Sequence, residues 1–114
     1  MIEFTNLTKK KLQRGIFKKL FKKIFFKKKF DLSVVFAPPP LMTKLNKKYK
    51  HKNKPADVLS FSLEKGRGEI FLNAREKNLP YLFAHGSLHL LGYGHETKFK
   101  AELMQKKERG SLKS

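Results

Sequence analysis

Three of the chain's four histidines lie in one short segment, His85-Gly86-Ser87-Leu88-His89-Leu90-Leu91-Gly92-Tyr93-Gly94-His95. On a helix, a step of four residues returns a side chain to nearly the same face one turn along, so His85 and His89 can present two imidazole nitrogens to one cation. Gly92 follows His89 by three residues, where glycine can take the left-handed conformation that ends a helix and turns the chain, sending His95 back as a third ligand. Three neutral imidazoles leave a fourth tetrahedral position for water, the arrangement of catalytic rather than closed structural zinc sites. Water in such a position ionises at a pKa of about 7 in favourable sites. Zn²⁺ is therefore the expected cofactor, one ion per chain, although Ni²⁺, Cu²⁺ and Co²⁺ also suit three imidazoles by intrinsic affinity. His51 stands apart in a basic loop and is read as a structural residue or an RNA contact.

The spacing His-x₃-His-x₂-Gly-x₂-His also matches the metzincin peptidases, whose motif carries a glutamate general base directly after the first histidine. Here that position is Gly86, so a peptidase is disfavoured. The charge points elsewhere. With 27 Lys and Arg against 9 Asp and Glu, the net charge of +18 attracts polyanions with strong salt dependence. RNA, DNA and an anionic membrane are the candidate partners, and a merely solvated lysine-rich surface is the plain alternative.

The elements that must position these residues follow from periodicity. Residues 2–4 suit a short strand. From Thr8, the apolar Leu12, Ile16, Phe17, Leu20, Phe21, Ile24 and Phe25 recur at helical spacing, predicting a long helix with an apolar core-facing side. Its other side carries Lys18, Lys19, Lys22 and Lys23 among further lysines, with no acid between Glu3 and Asp31. Residues 32–36 (Leu-Ser-Val-Val-Phe) read as a strand ended by Pro38-Pro39-Pro40. Leu41, Met42, Leu45 and Tyr49 give a second helix edged with Lys44, Lys47, Lys48 and Lys50. A basic loop over 51–55 leads to a strand over 57–62, a turn at Gly66-Arg67-Gly68 and a hairpin partner over 69–72. Pro80 marks the start of a helix that is apolar on most faces, hence buried, and a last, mostly polar helix is expected over 96–108.

The order β-α-β-α-β-β-α-α predicts a single α+β domain over 1–114, a small mixed sheet packed with helices, with the zinc site at the end of the buried helix. Absence of cysteine excludes disulfides, and no run of 18 to 20 apolar residues offers a transmembrane helix. The start Met-Ile-Glu-Phe-Thr-Asn has neither the basic region nor the apolar stretch of a signal peptide, so a cytoplasmic location and no membrane partner are expected.

The histidine segment resembles the hallmark of the YbeY family, bacterial endoribonucleases that mature ribosomal RNA, close to His-Gly-x-Leu-His-Leu-x-Gly-Tyr-Asp-His. Leu45-Asn46-x-x-Tyr49, Asp57-Val58-Leu59-Ser60-Phe61 and Gly68-Glu69-Ile70 resemble further segments of that family. Three positions depart from it: Lys50 replaces an arginine, Ala56 a threonine and Gly94 an aspartate, and the stretch between Ile70 and His85 is shorter. The resemblance implies a zinc-dependent, single-strand-specific endoribonuclease of small-subunit rRNA processing and ribosome biogenesis. Its partners would be ribosomal RNA, the pre-ribosomal small subunit, a small-subunit ribosomal protein and a ribosome-assembly GTPase.

In this reading Lys50 holds the scissile phosphate and Asp57 is the candidate base, its alternative being a strand-start cap. Lys18, Lys19, Lys22, Lys23, Lys47 and Lys48 hold flanking RNA. A non-catalytic, zinc-stabilised RNA-binding assembly factor is the second reading. Membrane-surface attachment through residues 9–29 is the third, disfavoured because the apolar face of that helix is needed for the core.

Overall fold

A computed structural model of the chain describes residues 1–92. The element order is β1 (Ile2–Asn6), α1 (Gly15–Ile24), β2 (Asp31–Ala37), α2 (Pro39–Lys50), β3 (Val58–Glu64), β4 (Arg67–Asn73) and α3 (Leu79–Leu90). The expected helix over 96–108 lies outside the described residues, as does His95.

The four strands form one mixed sheet in the order β1-β2-β4-β3, with β1–β2 and β2–β4 parallel and β3–β4 antiparallel. β2 is buried over most of its length, as a central strand covered on both faces requires. Alternation then sorts the core by face. Leu32, Val34 and Phe36 of β2 and Ile70 and Leu72 of β4 meet Phe17, Leu20 and Ile24 of α1 and Phe83 and Leu88 of α3. On the other face Leu59 and Phe71 pack with Met42 and Leu45 of α2. The molecule thus has three layers, with α1 and α3 on one face of the sheet and α2 on the other.

The first helix begins at Gly15, seven residues later than its periodicity predicts. Local polar bonding holds the intervening chain out of the helix. The Asn6 carboxamide oxygen accepts from the Thr8 amide and hydroxyl, its NH₂ donates to the Lys10 carbonyl, and the Thr8 hydroxyl accepts from the Lys10 amide. Ile16, expected in the core, is 43% exposed on the first turn, whereas Phe17, Leu20, Ile24 and Phe25 are buried as expected.

α2 starts at Pro39, two residues before its first periodic leucine, because a proline in the first turn forgoes no helical hydrogen bond. Its end is fixed by His51 in the left-handed conformation (φ 57°). The hairpin turn is tighter than its glycines suggested: Lys65 and Gly66 (φ 75°) make it, while Arg67 and Gly68 belong to β4. Gly68 answers a packing demand instead, since a Cβ there would stand 2.9 Å from the Leu90 side chain. Tyr49, the last residue of the apolar repeat that gives α2, is half-exposed, with its ring against Phe61 at 4.9 Å.

Candidate metal centre and its cleft

α3 is the element that positions the histidines. Leu79, Leu82, Phe83, Ala84 and Leu88 bury its apolar surface, and Pro80 sits in the first turn. This fixes the rotation of the helix, leaving His85 half-buried and His89 exposed on one side. Gly86 sets its depth. A Cβ at that position would lie 2.7 Å from Ser60 Oγ and 3.2 Å from Val58 Cγ2, so the missing side chain lets α3 press against β3. Ser60 Oγ donates to the Gly86 carbonyl at 3.1 Å, tying the two elements together. The place of the peptidase glutamate is therefore filled by the sheet, which gives the motif's departure a structural reason.

The two imidazoles converge. His85 Nε2 and His89 Nε2 are 3.0 Å apart, with ring centroids at 4.5 Å. Two nitrogens bound tetrahedrally to Zn²⁺ at 2.0–2.1 Å would stand about 3.3 Å apart. The pair therefore fits one such ion with a small adjustment. Beyond it, Gly92 takes the expected left-handed conformation (φ 93°), its amide donating to the His89 carbonyl at 3.0 Å. Among the described residues no group of three metal-binding side chains gathers, the proposed third ligand His95 lying outside them.

His85 and His89 line a cavity of about 190 Å³ together with Lys50, Val58, Leu59 and Ser60. Val58 and Ser60 point to the α3 face of the sheet and Leu59 to the α2 face, so this cavity lies at the edge strand β3. Lys50 reaches it as the last residue of α2, from the opposite layer. A second cavity of about 480 Å³ shares Lys50, Val58 and Leu59 and extends along Asn46, Lys52, Lys54, Ala56 and Asp57. The two make one cleft, histidines at one end and lysines along the other.

Asp57 belongs to the lysine end and does not line the histidine cavity. Its carbonyl accepts from the Asn73 amide at 2.9 Å, and the Asn73 side chain donates to the Ala56 carbonyl, which anchors the start of β3. Its carboxylate meets Glu76, a residue that the sequence reading did not single out. A hydrogen bond to Asp57 and the charge of Asp57 raise the Glu76 carboxyl above its ordinary value, burial adds to this, and Arg75 opposes it. Nothing in the sequence marks two carboxyls 19 positions apart as partners; the β3–β4 pairing brings them together.

Asn46 also went unassigned, although it stands in the Leu-Asn-x-x-Tyr segment. It is buried, donates from Nδ2 to the Lys54 carbonyl at 2.9 Å and so ties the 51–55 loop back to α2. Of the lysines expected to contact RNA, Lys47 and Lys48 lie exposed on the last turn of α2, near Lys50. Lys18, Lys19, Lys22 and Lys23 lie exposed on α1, in the other layer.

A pair of convergent imidazoles beside a lysine, on the edge of a small mixed sheet, defines a candidate metal-assisted site for an anionic substrate. The sequence model of the family described as Endoribonuclease YbeY matches residues 2–74 and 69–114, and the chain belongs to that family. A Malacoplasma penetrans protein named Endoribonuclease YbeY is 34% identical over 123 residues, covering 87% of this chain and 82% of its own. One of the same name from Desulforamulus reducens is 31% identical over 107 residues, covering 72% and 70%. The solution structure of a Thermotoga maritima protein superposes with a TM-score of 0.63 at 25% identity, covering 99% of this chain and 90% of that one. The first alignment is longer than the 114 residues of this chain, so the Malacoplasma protein carries residues that this chain lacks.

Proposed function

We propose that the protein is a zinc-dependent endoribonuclease that cuts single-stranded RNA in the maturation of small-subunit ribosomal RNA. The observation that carries the reading is the convergence of His85 Nε2 and His89 Nε2, 3.0 Å apart, on a cavity that Lys50 also lines, in a chain of the YbeY family. His85 and His89, with His95 as the third ligand, would hold the ion. When bound, Zn²⁺ supplies Lewis-acid stabilisation of the negative charge that develops on a phosphodiester during hydrolysis.

The chain's own groups do the rest. Lys50 places an ammonium at the junction of the two cavities, where it binds a phosphate as a point charge without the fork of an arginine. Lys52 and Lys54 continue the positive wall along the path of the strand, and Lys47 and Lys48 flank it. The cleft follows a sheet edge, a path suited to a single strand. Asp57, the base expected from the sequence, stands with Glu76 at the lysine end of the cleft, outside the histidine cavity, so the reading assigns no base at the ion. A pre-ribosomal small subunit, a ribosomal protein and an assembly GTPase are the partners proposed with this activity, in the cytoplasm. Among the described residues no helix is long and apolar enough to cross a membrane.

Elemental analysis of untagged protein tests the metal assignment. About one zinc per chain is expected, with loss of the metal in His85→Ala at unchanged circular dichroism. Retained zinc in that variant contradicts the ligand set. The substrate class is tested by offering one RNA sequence single-stranded and annealed to its complement. Cleavage of the first alone is expected, and equal cleavage of both contradicts the single-strand reading.

A further inference from the structure

α1 and α2 cover opposite faces of the sheet, and neither carries an acidic residue. Lysines on their outer surfaces are separated by three layers of a molecule at least 27 Å across. Screening at physiological salt acts over about 8 Å. The lysines of α1 and those of α2 therefore act as separate charged surfaces, and the cleft lies on the β3 edge, with α3 packed between that edge and α1.

The end of α1 also carries a feature that a merely solvated lysine surface lacks. Phe26 is 68% exposed, at the tip of a turn in which Phe25 is buried and Lys27 takes the left-handed conformation (φ 59°). Phe25 holds the turn from inside, its ring against Phe21 and Phe30 at 4.9 and 4.7 Å. Lys27 Nζ sits 5.5 Å from the Phe26 ring centroid. An aromatic face presented beside cations is the element on which single-stranded nucleic acids stack a base while lysines hold the flanking phosphates. A membrane-surface helix would need its apolar face free, whereas Phe17, Leu20 and Ile24 are buried against the sheet and α3.

We infer that the outer surface of α1 is a second RNA-binding surface, separate from the cleft, on which Phe26 stacks an unpaired base and Lys18, Lys19, Lys22, Lys23 and Lys27 engage phosphates. One molecule then holds two RNA segments, one for cutting and one as an anchor. This rests on the reading of the cleft as an RNA site.

The test uses the full-length, metal-loaded protein and two unstructured RNAs, a short one and a long one, carrying a donor and an acceptor dye. Wild type brings the dyes together at stoichiometric protein. The variant with Lys18, Lys19, Lys22 and Lys23 changed to Gln loses that signal, and its affinity for the long strand depends less steeply on salt. Phe26→Ala weakens the long-strand affinity by about fivefold or more while short-strand cleavage continues at the wild-type rate. An undiminished dye signal in the lysine variant, or unchanged long-strand affinity in Phe26→Ala, overturns the second surface. So does binding of vesicles of phosphatidylserine and phosphatidylcholine that depends on Phe26 while RNA binding does not. If wild type neither binds nor cuts the short strand, it is the reading of the cleft that fails.

Discussion

At the residue scale, the site depends on Gly86 as much as on the histidines. Replacing it with Ala puts a Cβ 2.7 Å from Ser60 Oγ and displaces α3 from β3. Overpacking of this kind costs about 1–3 kcal/mol, to be read as a lower urea midpoint, and zinc affinity falls with it because both imidazoles ride on the same helix. The Asp57–Glu76 pair gives a pH signature. Because the Glu76 carboxyl is raised in the fold, its linked contribution to stability is fully present below the ordinary value of 4.5 and is lost as pH rises through the raised value. Glu76→Gln removes that dependence. Urea unfolding of the variant from pH 4 to pH 8 is expected to show a flatter stability profile than wild type, and identical profiles contradict the pairing. Lys50→Ala lowers kcat/KM on single-stranded RNA by about tenfold or more, the loss of a charge-assisted phosphate contact.

At the element scale, α3 is held by packing. Leu88→Ala, a fully buried site, costs about 2–5 kcal/mol by denaturant unfolding. Ser87 Oγ is buried without a hydrogen-bond partner among the described residues, so Ser87→Ala raises stability by about 1 kcal/mol or more in the same measurement. The helices and strands were largely legible in the sequence because their apolar periods are clean. The histidine pair was legible because a four-residue step means one helix face. The misplaced start of α1 shows what periodicity omits: Asn6 and Thr8 offer the backbone side-chain partners that compete with a helix, and Leu12 continues the apolar pattern through chain that is not helical. The Asp57–Glu76 contact and the meeting of Lys50 with the histidines depend on strand pairing and on layers, and no local pattern encodes either.

At the scale of the whole molecule, the net charge of +18 is unevenly spread. Glu3, Asp31, Glu64 and Glu69 line one shallow depression of about 430 Å³ together with Met1 and Arg67. Within it the Met1 amine stands 3.6 Å from Asp31 and Arg67 stands 3.4 Å from Glu64. With these acids gathered at the N-terminal ends of β1, β2 and β4 and the C-terminal end of β3, α1 and α2 carry lysines and no acid of their own. Binding of single-stranded RNA is expected to weaken linearly in log–log terms as salt rises, with a slope of about −0.7 per phosphate engaged. A histidine-held ion in the cleft between α3 and α2 is the proposed agent of RNA cleavage. Single-turnover cleavage of a single-stranded RNA by nuclease-free, zinc-loaded wild type, set against His89→Ala of unchanged fold, tests it most directly. Wild type is expected to cut faster by about a hundredfold or more, the order of magnitude of lost transition-state stabilisation, and equal rates in the two proteins would rule out the histidine-held ion as the agent.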